Sequence, residues 1–99
     1  MNNEFKNWIS ATKNDEEALR NTKTFLKLIL LSTDDKMVEH QSEAQLILNY
    51  LESDEVEVPR RVEMSVVNIL KMFAGDSDPN NELDLFNLRK AFEEKSNQK

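Results

Sequence analysis

Apolar residues recur along most of this chain at spacings of three and four, the period of a helix lying on a core. Phe5, Trp8 and Ile9 begin the pattern within residues 3–12, which reads as a short amphipathic helix or turn. Asn14 is placed to cap the next helix, with Glu17 three residues on in a capping-box arrangement. The acids that follow it suit the positive end of a helix dipole. This helix runs over 15–31, with Ala18, Phe25 and Ile29 on one face and Leu19, Leu26 and Leu30 beside it. In "LKLILL" the apolar surface wraps most of the way round, so this end is expected to be the most buried part of the chain.

A second long helix is predicted over 34–53, capped by Ser32 or Thr33 and opened by Asp34 and Asp35. Met37, Gln41, Ala44, Leu48 and Leu51 form its stripe, widened by Ile47 and Tyr50. Next comes "SDEVEVP". Val56-Glu57-Val58 alternates like a strand, but it is short, has no pairing partner and stops at a proline. Residues 54–58 therefore read as an extended linker, with Val56 or Val58 pinned against the core. Pro59 opens a helix over 59–74, since its missing N–H is not needed in the first turn. Its stripe is Val62, Val66, Ile69 and Phe73, and Gly75 follows as a C-cap. A last helix, 79–95, begins at Asp78-Pro79 and presents Leu85, Leu88 and Phe92.

Short connections make sequential helices antiparallel. The fold expected is all-α: an antiparallel up-down four-helix bundle over residues 1–99, with Trp8 and its short extra N-terminal segment packed across one end. One Gly and two Pro in 99 residues are too few turn formers for a many-stranded sheet protein, and 38% hydrophobic residues suffice for one modest core. The absence of cysteine excludes disulfides and thiolate chemistry. "MNNEFKNWIS" has no signal-peptide pattern, and "FLKLILL" is far too short for a membrane span. A soluble, cytoplasmic protein is expected.

Charge narrows the function. Residues 34–63 hold nine acids against three bases, so the whole net charge of -6 sits in the middle of the chain. Nucleic acid is a poor partner for such a surface, because phosphates need clustered Lys and Arg.

Candidate chemistry is thin. Asp76, Asp78, Asn80, Glu82 and Asp84 fall on positions 1, 3, 5, 7 and 9 of a calcium loop. However, Asn81 stands where the loop requires Gly, and Asn87 where it requires a bidentate Glu, so the segment reads as a capped interhelical loop. His40 is the single histidine, insufficient for a zinc site in a chain without cysteine, and reads as a solvent-side helical residue. Ser42 lies two residues away on the same helix and faces elsewhere. Met37, Met64, Met72 and the aromatics follow helical spacing and read as core. No pair of carboxylates is singled out for acid–base work, and nothing calls for a metal or cofactor. By elimination the chain is a binding protein rather than an enzyme.

Three stretches give that binding protein a family resemblance. "FKNWIS" is an aromatic opening, "ILNYLES" leads through a polar linker to "VEVP", and "MSVVNILKMF" is followed by a polar loop and "LDLFNLRKAFEEK". In order and length these resemble the immunity proteins of class IIa (pediocin-like) bacteriocins, the enterocin A immunity family. The resemblance implies a cytoplasmic four-helix bundle that protects a Gram-positive cell from a pore-forming peptide. It would act without bond chemistry at the inner face of the membrane, on the bacteriocin bound to the mannose phosphotransferase permease. By position it places Asp76, Asp78, Asn80 and Asn81, with Asn87, Lys90 and Glu94 on the last helix, on the partner-binding surface. An alternative of another class is an acidic decoy or inhibitor of phage type, presenting Glu52–Glu57 to a basic groove of a partner protein.

Overall fold

The structure is a computed structural model and describes residues 4–74. Five helices pack together, and no strand occurs among the described residues. They are α1 (Glu4–Asn14), α2 (Glu16–Leu31), α3 (Asp35–Val38), α4 (Gln41–Glu52) and α5 (Arg60–Ala74). α1 packs on α2 and α5, while α4 packs on α2 and α5. The expected final helix 79–95, with Asp76, Asp78, Asn80, Asn81, Asn87, Lys90 and Glu94, lies outside the described residues, as do the Gly75 cap and the Phe73 side chain.

The core is assembled from the predicted stripes. α2 contributes Phe25, Leu26 and Ile29, and α4 contributes Ala44, Ile47, Leu48, Tyr50 and Leu51. Val62, Val66, Ile69 and Leu70 meet them from α5. Ile9 completes the core from α1, with Trp8 partly buried beside it. The amino-terminal segment is thus a full helix of 11 residues that packs on α2 and α5.

Several local expectations are corrected. The cap of α2 is Asp15, not Asn14: its Oδ1 accepts from the N–H groups of Glu17 and Ala18, both at 3.1 Å. α3 is capped by Asp34, whose Oδ1 accepts from Lys36 N–H at 2.9 Å, and Ser32 Oγ accepts from Asp34 N–H at 3.1 Å. Pro59 stands just before α5 rather than as its first residue, and its carbonyl accepts from the N–H groups of Val62 and Glu63.

The helix expected over 34–53 is broken at Glu39-His40. His40 has φ -108° and ψ 12°, outside helical values, and becomes the residue before α4. The break places Gln41 at the head of α4, where its amide Nε2 donates to the carbonyls of Ile29, Leu30 and Ser32 at 3.1–3.2 Å. A helix end leaves its last carbonyls short of intrahelical partners; Ser32 N–H donates to Ile29 O at 3.2 Å, and the Gln41 amide adds a further donor at this end.

The end of α2 is also less buried than its composition suggests. Leu31 is 79% exposed, and Lys27 and Leu28 also face solvent. Among the described residues α2 is packed by α1, α3 and α4, and Leu28 and Leu31 face away from them. Met64, read from the sequence as core, sits on the outer side of α5 and is exposed.

Candidate functional site

Tyr50, in the last turn of α4, lines a cleft and makes several of its contacts. α4 stops two residues later because Ser53 turns extended, with φ -92° and ψ 170°. Both the backbone N–H and the hydroxyl of Ser53 donate to Tyr50 O, at 3.1 and 2.8 Å. Ser53 Oγ then accepts from Glu55 N–H at 3.3 Å, which starts the linker in a fixed direction. At the far end, the residue before a proline is sterically pushed to extended geometry. That residue is Val58, and it packs against the core. Val56 is 85% exposed, so of the two valines it is Val58 that anchors the linker.

Between these fixed points the linker is held from two sides. Tyr50 Oη donates to Val56 O at 3.4 Å. Lys13, in the last turn of α1, donates from Nζ to Glu55 O, 42 positions along the chain. The same ammonium lies 4.1 Å from the centroid of the Tyr50 ring, a cation–π arrangement. Tyr50 is only 3% exposed. Burial pushes its phenol above the ordinary value of 10.0, the Glu55 carboxylate adds to this, and a hydrogen bond with Ser10 acts in the opposite direction.

Two clefts flank Tyr50. One, about 260 Å³, lies between α1 and the linker and includes Ser10, Lys13, Asn14, Asp54, Glu55 and Val56 in its wall. The other, about 230 Å³, lies between α4, the linker and α5, with Leu46, Asn49, Arg61 and Val62. Glu52, Asp54, Glu55 and Glu57 are all exposed. Glu52 also pairs with Lys23 of α2 at 3.7 Å. The result is a braced acidic ridge with an apolar tip at Val56. Its chemistry suits recognition of cations and basic surfaces.

Other titratable groups are placed differently. His40 is half-buried against Glu43, with Nδ1 and Oε1 3.7 Å apart, and is not on the solvent side expected of it. Glu63 is 5% exposed and faces Lys6 of α1 at 3.9 Å. Among the described residues no group of three or more His, Asp or Glu side chains is arranged to hold a metal ion. A third concavity, about 370 Å³, lies on the outer side of α2 around Leu19, Arg20, Lys23 and Lys27.

The candidate partner-binding residues from 76 onward and the calcium-like loop lie outside the described residues. Of the two surfaces considered from sequence, only Glu52–Glu57 falls within them. Lys13 and Tyr50, which hold that surface, were not singled out as functional residues by sequence reasoning. No local motif joins them, since they meet only through the packing of α1 beside the end of α4.

No family model matches the chain, and neither a curated protein nor a solved structure does. Among the described residues no helix is long and apolar enough to cross a membrane.

Proposed function

We propose that this chain is a non-enzymatic protein-binding module that protects its cell from a pore-forming, pediocin-like peptide. In this reading it binds the assembly of bacteriocin and mannose permease from the cytoplasmic side of the membrane and holds the pore shut. The antiparallel four-helix bundle belongs to the same proposal, as do Asp76, Asp78, Asn80, Asn81, Asn87, Lys90 and Glu94 as contact residues.

One observation carries the reading. The stretch that bears the family resemblance folds as a helix to Glu52, an extended linker, an anchored Val58-Pro59 and a second amphipathic helix from Arg60. That is the order the resemblance calls for. Expression in a sensitive strain tests it with a spot-on-lawn panel of pediocin-like peptides. Protection against at least one peptide is expected, with a permease subunit co-purifying under challenge. Unchanged killing by every peptide, with no permease recovered, rejects it.

A second reading has its own support: the exposed acids of Glu52–Glu57 on a backbone braced from two sides. It makes the chain an acidic decoy for the basic groove of a partner. Neutralising Asp54, Glu55 and Glu57 together then abolishes a salt-sensitive pull-down, whereas immunity survives the same change.

A further inference from the structure

We infer that the cleft between α1 and the linker is a binding site for the ammonium group of a partner's lysine, and that Lys13 is its built-in occupant. This rests on the second reading above and deepens it, giving Lys13 and Tyr50 a role there.

A cation is already seated there. The Lys13 ammonium has the Tyr50 ring face on one side at 4.1 Å and the Glu55 carbonyl as acceptor. Asp54 and Glu55 line the same cleft. An aromatic face, a carbonyl and nearby carboxylates are the elements that recognise an ammonium. The lining holds one basic and two acidic residues, so the cleft stays attractive to positive charge even when Lys13 fills it. When the lysine leaves, the linker loses one brace and keeps the other: Tyr50 is buried, its Oη still donates to Val56 O, and Ser53 still fixes the chain on its carboxyl side.

Lys13 is suited to leave. It projects from the last turn of α1 on a flexible stem, and a released lysine regains rotamer freedom. While seated, it competes as an intramolecular ligand, at an effective concentration in the millimolar range. A single free ammonium therefore enters only at high concentration, whereas a basic segment that also meets Glu52, Glu57 and the exposed Val56 displaces Lys13 at lower concentration. The cleft is an interaction site held closed by the protein's own side chain.

The test uses the full chain with Lys13→Met, which keeps the length of the stem and removes the ammonium, and with Lys13→Gln as a second, shorter uncharged variant. The probe is an N-acetylated, C-amidated tetralysine, with tetraglutamine as control, followed by backbone and aromatic NMR shifts. Both variants are expected to bind tetralysine about tenfold more tightly than the unaltered chain. The largest shifts should fall on the Tyr50 ring and the Glu55 and Val56 amides. Adding Asp54→Asn and Glu55→Gln should remove the gain. In the unaltered chain, methylammonium at high concentration should perturb the same Tyr50 signals. Equal tetralysine affinity with and without Lys13 overturns the inference, and so do shifts centred elsewhere. If neither variant folds, an unmoved Tyr50 signal in methylammonium overturns it alone.

Discussion

The Gln41 amide meets the Ile29 carbonyl at 3.2 Å, across the corner where the chain passes from α2 to α4. The same nitrogen also lies within hydrogen-bond distance of the Leu30 and Ser32 carbonyls, so its two N–H groups are shared among three acceptors where α2 ends. Replacing Gln41 with Leu keeps the bulk and removes the donor. The loss expected is about 1 kcal/mol, because the corner is only half-buried and water can replace part of what is lost. Urea unfolding followed by the fluorescence of Trp8, the single tryptophan, gives the value directly.

Tyr50 offers a pH measurement free of overlap, since it is the single tyrosine. Its phenol titrates above 10.0 in the folded chain, chiefly because of burial. A raised folded-state pKa means the native state holds the proton more tightly than the unfolded state. That contribution to stability is complete below the unfolded value and is lost as pH rises through the folded one. Absorbance of the phenolate should therefore rise with a midpoint above 10.0, and unfolding free energy should fall over the same alkaline range. A midpoint at or below 10.0 contradicts the burial described for this ring.

The two linker valines separate cleanly. Val58→Ser removes an apolar side chain from the core margin and introduces a hydroxyl, with an expected cost of about 1–2 kcal/mol. Val56→Ser, at a position 85% exposed, should stay within about 0.5 kcal/mol of the parent. Paired thermal melts decide the order, and a larger loss at Val56 would show that the linker is anchored the other way round.

Glu63 and Lys6 give an asymmetric pair of variants. The Glu63 Oε2 atom is buried without a hydrogen bond, and its nearest described cation is Lys6 at 3.9 Å. Lys6→Met leaves the carboxylate without that charge and is expected to cost about 1–2 kcal/mol, moderated because the Lys6 side chain is 43% exposed. Glu63→Met removes the desolvated group itself and should be neutral within about 1 kcal/mol, or stabilising. Denaturant midpoints of the two variants, compared at neutral pH, check the order.

The core of this protein was legible because its signal is local and periodic. Val62, Val66 and Ile69 can share a face only in a helix, and they do. Met37, Gln41 and Ala44 keep the same period across the Glu39-His40 break, so the pattern carries no trace of it. What ends α3 is His40 leaving helical geometry, with Gln41 reaching back to carbonyls of α2. The Asn14-to-Asp15 shift is of another kind: two adjacent residues are both good caps, and only the backbone distinguishes them. Leu31 misled because an apolar residue signals burial only where a neighbour exists to cover it. The acidic linker was visible as composition. Its bracing was not, because Lys13 approaches Glu55 only once α1, α2 and α4 have folded around one another.

That last contact gives the molecule a remote handle. Lys13 stitches the amino-terminal helix to a linker 42 positions away, so the two share a fate in native-state opening. Backbone amides of Glu55 and Val56 should exchange with solvent together with those of α1, even though α1 and the linker belong to different stretches of sequence. A tag, cleavage or modification at α1 would then be felt at the acidic ridge, with no change to the ridge itself.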